Sequence, residues 1–233
     1  MAFRFKQFTV EDDRSTLRVG TDAMLLGAWA KPGKAERILD IGTGCGVLSL
    51  MLAQKSQAQF DAIEIDPDSA AQAAVNFSRS PWAERLSAIH TSLEAFTSAP
   101  LHRYGFIISN PPYFHGHLKS PSTKLNMAKH EAGLDIRNLI TGTRKVLDPC
   151  GRISLVYPCS LYQNLKKAFE REGFVVSREM IVRPAEGREP GRVLAEFNLH
   201  SCDEPERAEI SILGPDGKYT RDYLDLTREY HSF

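Results

Sequence analysis

The sequence predicts an α/β domain built on a mainly parallel sheet, and three observations carry that expectation. Short apolar runs alternate with segments of helical periodicity through most of the 233 residues, the pattern of βαβ units. A glycine-rich turn, Gly42-Thr43-Gly44-Cys45-Gly46, separates an apolar run from a helical one, as at the ligand-binding edge of an open parallel sheet. Near the C-terminus two strand-like runs follow one another without a helical segment between them, which marks an antiparallel pair.

The elements follow in order. Phe5 to Val10 and Thr16 to Val19 read as extended, and Asp22 reads as the N-cap of a helix over Ala23 to Ala30. Arg37 to Ile41 is the first strand of the sheet. After the glycine turn, Val47 to Gln54 is helical, and Phe60 to Glu64 is the second strand. Asp66 is placed to cap a helix that Pro67 opens and Ala70 to Phe77 continues. Leu86 to Ile89 is a third strand, and Tyr104 to Ser109 is a fourth that ends in Asn110-Pro111-Pro112-Tyr113. A polar stretch over 114–132 precedes a helix from Leu134 to Leu147. A Pro149/Gly151 turn then leads into a strand at Arg152 to Tyr157. Leu161 to Glu172 is helical, with Leu165 and Phe169 four apart on one face. Phe174 to Val182 and Val193 to Leu199 are the closing strands. The tail over 201–233 offers Glu209 to Leu213 and Tyr219 to Tyr230 as elements without a placement.

Bulk composition narrows the function classes. Hydrophobic residues make up 42% and charged residues 25%, ordinary for a globular chain, and the formal net charge is zero. No global positive field advertises a polyanion partner, although a local basic patch can bind phosphate in a neutral protein. Cys45, Cys150, Cys159 and Cys202 form no CxxC pair and no Cys/His spacing suited to zinc. Thiols so scattered suit a reducing, cytoplasmic setting. No stretch approaches the ~20 apolar residues that span a bilayer. The expectation is one domain over 1–233, with 1–35 as an extension on the substrate side and 201–233 as a tail packed on it, no metal, no membrane and no obligate protein partner.

Glycines at a strand tip let the backbone turn sharply and approach a ligand without a Cβ clash. A dinucleotide fingerprint would need glycine at position 47, where the chain has Val47, and no Gly-Lys-Ser/Thr of a P-loop follows. The pattern Asp40-x-Gly42-x-Gly44-x-Gly46 instead resembles that of the class I methyltransferases. That resemblance implies S-adenosyl-L-methionine as cofactor, its methionine and ribose over the three glycines. Glu64, ending the second strand, is placed to accept hydrogen bonds from both ribose hydroxyls, the solution that dinucleotide folds use. Asp40 would orient the amino-acid end, directly or through water.

Asn110-Pro111-Pro112-Tyr113 ends the strand across the switch point. Methyl transfer from a sulfonium is an in-line displacement, so the nucleophile must present a lone pair along the C–S axis at about 3 Å. An amine conjugated to a purine is a poor nucleophile because its lone pair is delocalised. The Asn110 side-chain oxygen and the Pro111 carbonyl together can accept both N–H bonds, favouring a tetrahedral nitrogen. Positive charge developing on that nitrogen strengthens both hydrogen bonds in the transition state. Two prolines lack N–H groups and fix φ, holding the acceptors rigid. Tyr113 offers a face for base stacking, worth roughly 1–3 kcal/mol.

With these residues the chain resembles the class I N-methyltransferases that carry Asn-Pro-Pro-Tyr. More narrowly, Arg18 to Trp29, Asn110 to Phe114 and Ala128 to Glu131 resemble segments of the bacterial tRNA1(Val) (adenine-37-N6)-methyltransferases. The resemblance implies a Rossmann-like, seven-stranded, mostly parallel sheet with an antiparallel final strand, helices on both faces, and tRNA as substrate. One departure stands out. Many relatives carry an Asp after the third strand that contacts the cofactor adenine, where this chain has Ser92, whose oxygen can still accept a hydrogen bond. The stretch after the catalytic turn carries Lys119, Lys124 and Lys129 with His115, His117 and His130, and a single carboxylate, Glu131, before Asp135. Its Gly116, Ser120, Pro121 and Ser122 read as a flexible basic loop suited to an anionic polymer. Arg183, Arg188 and Arg192 form a second basic cluster that either extends a phosphate track or decorates a hairpin. The alternatives are a protein glutamine-N5 methyltransferase, another nucleic-acid amine methyltransferase, or a non-catalytic binding module of the same fold.

Overall fold

The computed structural model describes residues 2–16, 18–112, 135–200 and 204–231. Tyr113 and the lysines at 119, 124 and 129 lie outside the described residues. An N-terminal hairpin of β1 (Ala2–Arg4) and β2 (Thr9–Glu11) precedes α1 (Thr21–Trp29). There follow β3 (Arg37–Ile41), α2 (Val47–Ala53), β4 (Gln59–Glu64), α3 (Pro67–Ser78), β5 (Leu86–His90), α4 (Leu93–Ser98) and β6 (Tyr104–Ser109). The second half holds α5 (Ile136–Val146), β7 (Leu147–Pro158), α6 (Cys159–Arg171), β8 (Val175–Ala185), β9 (Arg192–Asn198), β10 (Glu206–Leu213) and α7 (Arg221–Thr227).

Eight strands form one sheet in the order β10-β8-β9-β7-β6-β3-β4-β5. Strands β5, β4, β3, β6 and β7 are mutually parallel, and β9 runs antiparallel to both β7 and β8. This is the Rossmann-like methyltransferase arrangement, with an eighth strand added: β10 lies parallel to β8 at the edge.

Strand side chains alternate between two cores. Ile38, Phe106, Ile108, Val156 and Leu194 pack on one face with Leu25, Leu26 and Trp29 of α1 and Leu50 and Met51 of α2. Leu39, Ile41, Ile107, Ile153, Leu155 and Phe197 pack on the other with Leu139 and Ile140 of α5 and Leu165 and Phe169 of α6. Both faces of the parallel strands are therefore buried, which is why they read as continuous apolar runs. Phe169 stacks on Phe197 with centroids 4.1 Å apart and meets Phe174 edge-on at 5.2 Å. Glu196 is a buried charge in this frame. It accepts from Ser154 at 3.1 Å and Ser177 at 3.2 Å and is paired with Arg178 at 3.6 Å, so its carboxylate is satisfied.

Several local readings change. Gly20, not Asp22, is the N-cap of α1. Asp22 sits inside the first turn, drawn to Arg192 at 2.9 Å. Thr16 to Val19 contains no strand among the described residues, and the run at 5–10 holds the connection between β1 and β2 and only the first two residues of β2. Pro149 and Gly151 lie inside β7 rather than in a turn before it. The register shifts there from Tyr104↔Leu147 to Phe106↔Arg152, the signature of a bulge that accommodates both residues without ending the strand. The tail gains a place: Tyr223 and Tyr230 enter the first core, and the Tyr230 hydroxyl donates to the Met51 carbonyl at 3.0 Å.

Candidate active site

The parallel register brings five strand residues into one row. Ile89, Ile63, Ile41, Ser109 and Leu155 are successive Cα partners across β5, β4, β3, β6 and β7. The next residue of each of the three central strands is Glu64, Gly42 or Asn110. The glycine turn and the Asn-Pro-Pro turn therefore leave adjacent strands at the same edge. The Ser109 hydroxyl pins that edge by donating to the Ile41 carbonyl at 2.9 Å, fully buried.

The glycine turn is held by its own amides. Gly42 and Thr43 both donate to the Ile63 carbonyl, at 2.9 and 3.1 Å, and Gly46 donates to Thr43 at 2.9 Å. Gly44 donates to Glu64 Oε2 at 2.8 Å. Gly46, with φ +86°, caps α2, and a Cβ there would stand 2.4 Å from the Phe77 ring, so no other residue fits. A Cβ on Gly42, with φ +70°, would meet nothing within 4 Å, which leaves open space above the turn.

The two acidic residues have different surroundings. Asp40 is fully buried; its Oδ2 accepts from Thr43 Oγ1 at 2.6 Å and Ser49 Oγ at 2.7 Å, and its Oδ1 has no hydrogen-bond partner. Burial pushes its pKa up from 3.8 to about 6, against the two hydroxyl bonds, and the negative Glu64 adds to the rise. Asp40 thus braces the turn from beneath. Glu64 ends β4 at the same edge of the sheet, where Oε1 accepts from the N–H groups of Ile65 at 2.9 Å and Asp66 at 3.0 Å. Its carboxylate is fixed by three N–H groups in all.

Asn110 is half-buried, Pro111 buried and Pro112 exposed. Asp66 accepts from the Ser69 N–H at 2.8 Å and caps α3, with Pro67 in the first turn. Ser92 caps α4, its oxygen accepting from the Ala95 N–H at 3.1 Å, so one lone pair is already committed to the helix. Of the second basic cluster, Arg192 is paired with Asp22 and Arg183 with Glu209. The loop between β8 and β9 stands on the rim that carries Asn110, because Arg192 pairs with Pro158 beyond Leu155.

Sequence reading missed a zipper along α3. Buried Ser69, Gln72 and Asn76 accept from the backbone N–H groups of Thr16 at 3.1 Å, Arg14 at 3.2 Å and Glu11 at 3.0 Å. Asn76 also donates to the Glu11 and Cys45 carbonyls, both at 2.8 Å. The available signal was three polar residues at helical spacing on one face of a helix otherwise rich in alanine. Ile65, 44% exposed beside Glu64, is a second feature not singled out. Among the described residues no group of three or more His, Cys, Asp or Glu converges as a metal site.

A strand-tip glycine cradle beside an Asn-Pro-Pro turn, on this sheet order, defines a methyltransferase of the Rossmann-like class, and residues 15–179 match the methyltransferase small domain, the family to which the chain belongs. Within it, the chain is 38% identical over 229 residues to the tRNA1(Val) (adenine(37)-N6)-methyltransferase of Parabacteroides distasonis, covering 98% of this chain and 97% of that one. It is 38% identical over 234 residues to the protein of the same name from Aeromonas hydrophila, covering 98% and 96%. Among solved structures, a predicted O-methyltransferase of Agrobacterium tumefaciens superposes with a TM-score of 0.69 at 19% identity over 90% of this chain and 96% of its own. A glycopeptide N-methyltransferase complexed with S-adenosyl-L-methionine gives 0.56 at 15% identity over 80% and 96%. At these identities the structural matches speak for the fold.

The buried Asp40 sets a pH dependence. Its folded-state pKa lies above its value in the unfolded chain, so the folded protein binds the extra proton more tightly, and stability falls as pH rises from 3.8 to about 6. Asp40→Asn keeps an acceptor for Thr43 and Ser49 and has nothing to titrate. The stability of the wild type relative to this variant should fall by about 3 kcal/mol across that window in urea unfolding. A difference independent of pH would remove desolvation as the cause.

Proposed function

We propose that this chain transfers a methyl group from S-adenosyl-L-methionine to the exocyclic N6 amine of an adenine in tRNA, at position 37 of tRNA1(Val). One observation carries the reading: Gly42 and Asn110 follow paired residues of neighbouring strands, so a donor cradle and an amine acceptor share one edge. The full-length similarity to proteins named for this reaction supports the substrate.

The cofactor, when bound, supplies an electrophilic methyl group on a sulfonium. The residues present fit it: the space above Gly42 is open, and Glu64 offers a carboxylate already fixed in orientation. In this reading Glu64 accepts from the ribose hydroxyls, and Asp40 sets the turn under the methionine end, directly or through water. Gly42, Gly44 and Gly46 keep side chains out of the cradle, and the Ser92 oxygen accepts from the adenine amine. Asn110 and the Pro111 carbonyl accept the two N–H bonds of the substrate amine, turning its lone pair toward the methyl group. No base is needed before transfer, because the acidified N–H proton can leave to water afterwards. Pro112 keeps the acceptors rigid and Tyr113 stacks on the base. An anticodon-loop purine is already unpaired or cheaply flipped, so a single domain suffices. Lys119, Lys124 and Lys129 hold phosphates, and neither metal nor membrane is required.

Two substitutions separate the halves of the site. Asn110→Ala should lower kcat by a factor on the order of 10²–10³ while leaving S-adenosylhomocysteine affinity nearly intact. Glu64→Ala should weaken that affinity and lower the thermal midpoint, since three N–H groups lose their acceptor. Mass spectrometry of tRNA nucleosides reads the first and calorimetry the second. Normal turnover in the Asn110 variant would dismiss the amine-acceptor role, and label from the methyl donor entering protein instead of tRNA would favour the glutamine reading.

Replacing Lys119, Lys124 and Lys129 together by Ala should raise KM for tRNA. It should also reduce the slope of log KM against log salt by about 2. An unchanged slope in steady-state assays at several salt concentrations rejects phosphate contact by these lysines.

A further inference from the structure

Four of the five N–H groups of the glycine turn are already committed. Gly42, Thr43, Gly44 and Gly46 all direct their N–H groups at acceptors within the protein: the Ile63 carbonyl, Glu64 and the Thr43 carbonyl. A ligand carrying a carboxylate over this turn therefore needs donors beyond these four amides. Leaving such a carboxylate without one is costly, because hydrogen bonds to charged groups are the strong ones.

The N-terminal segment supplies a candidate. It climbs along α3, fixed at Glu11, Arg14 and Thr16 by Asn76, Gln72 and Ser69. Asp12 closes its upper end by accepting from the Val19 N–H at 3.1 Å. Between two of these anchors lies Ser15. Its Oγ is buried and has no hydrogen-bond partner among the described residues. That oxygen faces the turn: a Cβ built on Gly44 would stand 3.3 Å from it. Buried hydroxyls without a partner are uncommon, and each calls for an explanation. Five buried side-chain atoms are unpartnered among the described residues, and of these only Ser15 Oγ and Asp40 Oδ1 belong to the turn and the segment covering it. Asp40 Oδ1, on a carboxylate, is suited to accept rather than donate, which leaves Ser15 as the donor.

We propose that Ser15 contacts the cofactor, donating its hydroxyl to the carboxylate of the methionine end. The proposal rests on S-adenosyl-L-methionine being the cofactor. The zipper along α3 is what makes the contact useful. Because the backbone at Arg14 and Thr16 is already held, Ser15 loses little freedom on binding, and the hydrogen bond is formed without ordering a loop. The three buried polar residues of α3 then act as positioning residues for a donor that none of them touches.

Two ligands and one variant test it in calorimetry with the full chain. S-adenosylhomocysteine carries the amino-acid end; 5′-methylthioadenosine has the same adenine, ribose and sulfur without it. Ser15→Ala should weaken S-adenosylhomocysteine roughly ten-fold, the loss expected for one charge-assisted hydrogen bond, and leave 5′-methylthioadenosine affinity as in the wild type. Unchanged binding of the second ligand also certifies that the variant is folded. Equal losses for both ligands, or no loss for either, overturns the assignment. Wild-type protein that binds neither ligand refutes the cofactor itself, an outcome distinct from failure of the Ser15 contact alone.

Discussion

The whole site depends on the parallel register of β3 with its two neighbours. Ile41 is paired with Ile63 on one side and Ser109 on the other, and the three chains then leave the sheet together. A slip of one residue in either pairing would turn every side chain of that strand to the opposite core. Because both faces of the sheet are buried, such a slip would place the alternating Ile38/Leu39 and Phe106/Ile107 pairs in the wrong halves of the interior. Hydrophobic packing thus fixes the height at which the functional turns emerge. The Ser109 hydroxyl and the two amides on the Ile63 carbonyl only tighten what the cores have already determined.

The antiparallel end of the sheet contributes a second constraint. β9 is inserted between β7 and β8, so the loop that joins β8 to β9 returns to the rim where Asn110 stands. The ion pair of Arg192 with Asp22 ties that rim to the first turn of α1. Glu196, satisfied within the sheet by Ser154, Ser177 and Arg178, holds β7, β9 and β8 in register from inside. The paired arginines of the rim are therefore partly structural.

Legibility followed the range of the interactions. The strand–turn–helix at Asp40 to Ala53 and the turn at Asn110 could be read because each is specified by neighbours in sequence: apolar runs, glycines at positive φ, prolines. Asp66 could be read as a cap because its partner, Ser69, is three residues away. Asp22 was misread by the same rule. It looks like a cap, but Gly20 supplies the extended residue, and the carboxylate answers to Arg192, 170 residues distant. The zipper was invisible for the same reason, since its bonds join residues 53 to 65 apart and the segment at 12–16 has no periodicity of its own. β10 was left without a place because an edge strand with four exposed residues at its start carries little apolar pattern.

The two carboxylates at the glycine turn have different surroundings and hold it from different sides. Asp40, deprived of water, stiffens the turn by gathering Thr43 and Ser49 beneath it, at a cost visible in its raised pKa. A carboxylate in that position, fully buried and already holding two hydroxyls, serves the turn rather than a ligand. Glu64 stands at the end of β4 with three N–H groups already on it, and a carboxylate has about four lone-pair sites. Its orientation is set before any ligand arrives, and with Gly44 as one of the three donors, a ribose accepted there would be felt directly by the backbone of the glycine turn. On the proposed reading, donor binding and turn geometry would be one equilibrium, aligned against the Asn-Pro-Pro tip that leaves the neighbouring strand.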